Sequence, residues 1–442
     1  MEYRAQNREG QGSLPDLGSD TLPGKRLIFF DNLRYLLVLF VVVEHSANAY
    51  NGLNWWPVAE SEASFLAQGL SAFSDVFAMP LLFYIAGYFA LPNLQKKGVS
   101  GFLVGKLKRL GIPWLVCILT ICPILPLIYH YTRNGLSLSQ SYGDLWLELM
   151  HKALEFNVGV IPSLNQLMAS NQFYQRYMWF LSLLLLFFLG FALLYALGRE
   201  WLDAPDKAWE KRSATARSTL VMLLCIGGLT TLLSFPSVGL MMALTPKLHN
   251  PEPFFSLGNL IQFRPSRFFF YLIYFGLGVI TYRNKWIQRG WFPGNLKTWM
   301  VSFALLLAAF LVAVTLLRSA PPELKGIYAP VYFFVLNFLC AACLGLSLAW
   351  GLRYWNHPNA RDRSLAANSY NIYLSHYVFV VTAQLILFPL TAVPATLKFL
   401  MVAASSGVLA YVSSRWLISS HPRLAVASAF ALLLAMTLGI RP

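Results

Sequence analysis

An all-α bundle of ten or eleven membrane-spanning helices is what the sequence predicts, on three observations. Hydrophobic residues make up 57% of the 442 and charged residues only 12%, about half the charge of a soluble domain, so little polar surface is left to face water. The apolar residues gather into runs of about 20, the length that crosses a hydrocarbon core as a helix. Lysine and arginine are dense in every second loop, the alternation expected of cytoplasmic segments.

In order, the runs place spans near 32–50, 66–91, 110–130, 177–198, 218–245, 260–282, 298–317, 329–352, 366–390 and 396–418. A shorter run, 424–440, sits at the lower limit of length, and both an extra span and an interfacial helix fit it. Three segments follow: a disordered cytoplasmic tail over 1–25, a membrane domain over 26–420, and a C-terminal span or interfacial helix over 421–442. Pro123, Pro126, Pro236, Gly276 and Gly278 fall inside the runs and fit kinked or closely packed membrane helices. The triplet Ala47-Asn48-Ala49 has the look of a signal cleavage site, but Arg34, Glu44 and His45 in or beside the apolar stretch argue for a retained span.

With the N-terminus inside, 23 of the 34 lysines and arginines lie in inner segments, and the first outer loop, 51–65, carries none. The net charge of +15 therefore reads as topology and contact with anionic membrane lipid, not nucleic acid. Such a chain is expected as an integral protein of the inner (cell) membrane of a bacterium. All five cysteines fall in predicted spans, so no disulfide framework is implied. The Cys340-x2-Cys343 pair lies inside an apolar helix without a second pair and reads as packing; no metal site is expected.

Outside the spans, 131–176 contains an amphipathic stretch from Leu145 to Phe156, suited to an interfacial connector or a cap over a cavity. Residues 246–266, with prolines at 246, 251 and 253, read as an ordered irregular loop.

Ionisable residues at membrane depth are functional candidates by default. Arg34 and His45 are 11 positions apart, about 1100° of rotation, so they share one face of the first span at depths about 16 Å apart. Asp31 is placed to pair with Arg34 at i,i+3. A cation near the inner mouth can hold phosphates of a cytoplasmic donor, while a neutral imidazole deeper in can take a proton from a hydroxyl, with Glu44 beside it. A snorkelling arginine and a structural histidine are the plainer readings. Asp75 is an acid in the second span, placed to orient His45, bind a hydroxyl or pair with a buried arginine. Ser369, Tyr373 and His376 recur at helical spacing and are expected to line the same cavity as His45. Lys106, Lys108 and Arg109 form an inner basic cluster fit for phosphates.

The ordered set Arg34-x10-His45, Phe83-Tyr84-Ile85-Ala86-Gly87-Tyr88, Lys106-x2-Arg109-Leu110-Gly111-Ile112-Pro113, Trp179-Phe180-Leu181 and Ser369-Tyr370-Asn371-Ile372-Tyr373-Leu374-Ser375-His376 resembles the acyltransferase-3 family of membrane proteins. The Lys106–Pro113 stretch is most similar to the branch of the glucan biosynthesis protein C succinyltransferases. The resemblance implies about ten spans, an acyl-CoA co-substrate reached from the cytoplasm, no permanently bound cofactor, and a saccharide or glycan acceptor modified outside by O-acetylation or succinylation. It also implies that Arg34 and His45 are required. Ala86 stands where the family usually has serine, and Lys106 where it has arginine, which keeps charge but loses bidentate geometry.

The expected site is thus His45, Glu44 and Arg34 as catalytic groups, and Arg34, Lys106, Arg109, Gly87 and Tyr88 around the donor. Asp75, Trp179, Ser369, Tyr373 and His376 form the cavity wall. A proton-coupled transporter of a polar solute, relaying protons through His45, Glu44 and Asp75, is the rival reading.

Overall fold

The computed structural model describes residues 27–58, 60–156, 158–161, 173–204, 214–244, 254–259 and 261–439. The expected N-terminal tail lies outside the described residues. The helices are α1 (Ile28–Ala47), α2 (Phe65–Lys106), α3 (Ile112–Thr120), α4 (Ile124–Arg133), α5 (Tyr142–Leu154), α6 (Trp179–Asp203), α7 (Ala216–Leu244), α8 (Pro265–Arg283), α9 (Leu296–Ser319), α10 (Pro322–Tyr354), α11 (Ala360–Leu387), α12 (Ala395–Ser413) and α13 (Pro422–Gly439). Among the described residues eight helical stretches are long and apolar enough to cross a membrane, and one of them, the 69-residue run 65–133, holds two of the expected spans. Asp31, Arg34 and Glu44 keep α1 out of that group, and α8 carries Arg267 and three tyrosines. The protein is an all-α polytopic bundle.

Local chemistry sets the boundaries. Ser64, Ser141 and Asn295 cap α2, α5 and α9 by accepting from the backbone N–H three residues on, which satisfies donors the first turn leaves open. Helix α2 runs 15 residues beyond its expected span and bends at Gly98, whose φ of 68° suits glycine. The expected span 110–130 is broken into α3 and α4 across Ile121–Pro123, where proline interrupts the hydrogen-bond ladder. At its other end α13 packs near α5, with Thr437 against Gly143, while its start meets the short π-helix Ser414–Ile418. It is among the stretches long and apolar enough to cross a membrane.

Two expectations are corrected. Residues 254–263 are not irregular: β2 (Phe254–Leu257) and β3 (Ile261–Phe263) form a hairpin, and β1 (Val158–Ile161) joins β2 antiparallel, with Val158 opposite Leu257. The sixth span consequently starts at Pro265 rather than 260. Strands of three or four residues show no periodicity long enough to read.

Helices α2 and α8 share the most extensive contact. Their backbones meet at Gly87 and Gly278: a Cβ on Gly87 would lie 2.0 Å from the carbonyl oxygen of Phe275, and one on Gly278 2.2 Å from that of Tyr84. Small residues permit this approach, which is how membrane helices gain dispersion contact without a hydrophobic driving force. Cys340 and Cys343 lie buried in the core around this crossing. A second core joins α1, α3–α5, α11 and α12.

Candidate active site

Helix α11 braces α1 along its length. Arg34 donates from Nε to Ser369 Oγ at 3.3 Å and from Nη2 to the Ala366 carbonyl at 3.2 Å, and pairs with Asp31 at 3.2 Å. Three turns further along α1, His45 Nδ1 lies 2.8 Å from His376 Nε2. Beyond that, Gln384 donates to the carbonyls of His45 and Ser46 at 3.3 and 3.2 Å, and accepts from Trp56 Nε1 at 2.7 Å. Ser369, His376 and Gln384 are seven and eight residues apart, two helical turns each, so a single stripe of α11 makes all three contacts.

Two cavities flank α1. The first, of about 490 Å³, is lined by Asp31, Arg34, Lys106, Arg109, Tyr88, Asn93, Gln288, Ser369, Tyr370 and Tyr373 over an apolar floor including Val38, Leu82, Phe180, Leu181 and Phe188. Lys106 Nζ sits 3.7 Å over the Phe188 ring; Tyr370 donates to the Arg109 carbonyl at 2.7 Å; Gln288 donates to Tyr88 Oη at 2.9 Å. Three cations and an apolar interior suit an anionic group tethered to an apolar chain.

The second cavity, of about 200 Å³, is lined by Glu44, His45, Ser74, Asp75, Trp55, Tyr174, Trp179, Tyr271, Gln262, Arg264 and Arg267, with Val41, Ala78 and Met79. His45 Nε2 is 3.1 Å from Glu44 Oε2, and Glu44 Oε1 accepts from Asn48 at 2.7 Å. Asp75 takes a 2.6 Å hydrogen bond from Arg267. Trp179 and Tyr271 stack at 5.5 Å. Phe254, Gln262 and Phe263 of the hairpin close one side.

The two cavities adjoin end to end. On α1 Val38 lines the first and Val41 the second; on α2 Leu82 and Met79 divide in the same way; on α6 Phe180 and Trp179 do. Three residues, about 5 Å along the axis, separate the linings on α1 and α2, and on α6 they are neighbouring residues.

The structure divides the expected site. Arg34, Lys106, Arg109, Tyr88, Ser369 and Tyr373 line the first cavity, and Glu44, His45, Asp75 and Trp179 the second. Gly87 lines neither, because its open face is filled by the α8 backbone. Ser369, Tyr373 and His376 do share a helical face, but over about 10 Å of depth that face meets the cavity first and then α1. His376 is therefore fully buried behind His45 rather than on a cavity wall. Sequence reading passed over Arg267, counted only as a loop charge. An arginine inside a predicted span was the signal available. Trp55, Tyr174 and Tyr271 gave none, since aromatic residues are common throughout the chain.

A polytopic helical membrane protein with two abutting polar cavities is the class that fold and site define. Residues 27–440 match the acyltransferase-3 family, described as an acyltransferase domain, and the chain belongs to that family: it is a membrane acyltransferase. Neither a curated protein nor a solved structure matches it.

Proposed function

We propose that the protein moves an acyl group from acyl-CoA, held in the basic cavity, to a hydroxyl of a saccharide held in the cavity of His45. The observation that carries this reading is the end-to-end arrangement of the two cavities along α1, cations lining one and the His45–Glu44 pair the other. A cavity of about 490 Å³ falls in the range that binds small ligands; it takes the pantetheine arm and leaves the nucleotide phosphates near Lys106, Arg109 and Arg34. The smaller cavity suits one sugar ring, with Trp179, Tyr271 and Trp55 as flat apolar walls and Asp75, Ser74 and Gln262 for its hydroxyls.

In the reaction the hydroxyl proton passes to His45 Nε2 as its oxygen attacks the thioester carbonyl carbon. The imidazolium formed stands beside Glu44, 3.1 Å from Nε2. Collapse of the tetrahedral intermediate breaks the carbon–sulfur bond, and the CoA thiolate takes the proton from His45, leaving an ester and CoA–SH. The bias of basic residues puts the Arg34 end at the cytoplasm, where acyl-CoA is made, and the His45 end outside. Acyl-CoA is then a co-substrate and the acceptor an extracytoplasmic glycan, modified at the inner membrane of a bacterium. Family membership favours acyl transfer over proton-coupled transport.

The test is turnover of acyl-CoA by detergent-purified protein with candidate glycans. His45→Ala is expected to abolish it while CoA still binds by calorimetry. Unchanged turnover in that variant refutes the mechanism.

A further inference from the structure

His376 lies beneath His45 and lines no cavity among the described residues. Its Nδ1 faces the backbone carbonyls of Tyr373 at 2.7 Å and Ile372 at 3.2 Å. Carbonyl oxygens only accept, so Nδ1 carries the hydrogen and the lone pair of the neutral ring stands on Nε2. That Nε2 meets His45 Nδ1 at 2.8 Å, with the two rings nearly coplanar at 6°. Two lone pairs do not approach to this distance, so His45 donates from Nδ1, and its own lone pair is left on Nε2. Nε2 is the atom beside Glu44 at the cavity.

We propose that His376 is a positioning residue: by accepting from His45 Nδ1 it selects the one tautomer whose Nε2 lone pair faces the cavity of Glu44 and the acceptor. This rests on His45 acting as the base. His376 touches no substrate and gains no proton; it holds the Nδ1–H of His45 before and after Nε2 is protonated, and so steadies the imidazolium. Its orientation in turn comes from the helix, since residues three and four positions back supply the carbonyls. The other ionisable groups around His45 are Glu44 on its own helix, Asp75 on α2, Arg264 and Arg267 on α8, and Tyr377 on α11. Of these, Glu44 reaches a ring nitrogen, 3.1 Å from Nε2; as the carboxylic acid it donates there and favours the same tautomer, while the hydrogen-bond partner at Nδ1 is His376.

Groups that fix the tautomer of a catalytic imidazole are worth up to about 10⁴ in kcat. The experiment compares His376→Leu, His376→Asn and His376→Gln with wild type and His45→Ala, each first shown monodisperse in detergent. Leucine removes the acceptor. Asparagine reaches the Tyr373 carbonyl but not His45, and glutamine brings a side-chain oxygen to where Nε2 stood. Leu and Asn are expected to lower kcat at least 100-fold with KM for acyl-CoA and acceptor unchanged, and Gln to recover at least tenfold over both. If Leu fails to fold, the Asn and Gln pair decides alone. Wild-type kcat in Leu or Asn, or equal loss in Asn and Gln with both folded and binding CoA, overturns the proposal. Should His45→Ala turn over like wild type, the base reading itself falls; an inactive His45→Ala beside an active His376→Asn overturns the positioning role alone.

Discussion

Substituting alanine at Gly278 tests whether the α2–α8 crossing, not the donor site, is what the two glycines serve. The added methyl would lie 2.2 Å from the Tyr84 carbonyl oxygen, 2.7 Å from the Tyr88 nitrogen and 3.1 Å from the carbonyl carbon of Gly87. Non-bonded carbon contacts settle near 3.5–4.0 Å, so the helices must part by on the order of 1 Å at their closest point. All three neighbours are backbone atoms, which cannot swing away as a side chain does. Overpacking of a rigid core costs about 1–3 kcal/mol, and this site belongs at the upper end, a loss of about 3 °C in unfolding temperature for a chain of this size. Gly276, two residues earlier on the same helix, has nothing within 4 Å of its Cβ position, and Gly276→Ala is the control, expected to be neutral. The assay is thermal unfolding in detergent followed by size-exclusion, with KM for acyl-CoA measured on the folded fraction. Equal stability of the two alanine variants refutes the close-packing argument. Gly87→Ala, whose methyl would meet the Phe275 oxygen at 2.0 Å, is expected to behave like Gly278→Ala; a raised KM for acyl-CoA at unchanged stability returns Gly87 to the donor site.

Three further outcomes follow from named contacts. Lys106→Ala and Arg109→Ala are each expected to raise the KM for acyl-CoA several-fold with little change in kcat, read from initial rates, because they meet the part of the donor that does not react. Arg133 donates to the carbonyls of Asn54, Trp56 and Pro57, so Arg133→Ala is expected to loosen the loop that carries Trp55 and raise KM for the acceptor while leaving CoA affinity, measured by calorimetry, alone. Lys398 and Glu60 form an ion pair at 2.9 Å with 1% and 9% side-chain exposure. Lys398→Ala leaves a buried carboxylate and is expected to cost about 3–5 kcal/mol by thermal unfolding, and Lys398→Met with Glu60→Gln less.

Much of the bundle was legible because hydropathy over about 20 residues is a strong constraint: no exposed backbone survives in hydrocarbon, so each apolar run must be a helix. The runs 177–198, 298–317, 329–352 and 396–418 all became helices whose ends fall within seven residues of theirs. Where the reading failed, local polarity hid a long-range pairing. Val158–Ile161 finds its partner at Phe254–Leu257, almost a hundred residues on. No local pattern announces that. The break at Ile121–Pro123 was marked by its proline, which signals a kink but not its extent.

By itself the sequence determined that Arg34 and His45 occupy one face of the first helix at different depths, since helical rotation is a property of the backbone alone. It also marked most of the ionisable residues inside the apolar runs, Arg267 excepted. Only the tertiary structure decided what lies opposite each of them. It gave Arg34 and His45 separate cavities, set His376 behind His45 instead of beside it, paired Asp75 with Arg267 and consumed Gly87 in a helix crossing. The physical reason is that a helix specifies the direction of its own side chains. Whether that direction ends in a cavity, a partner or a neighbouring backbone depends on how closely other helices approach, and packing of small residues far along the chain sets that distance.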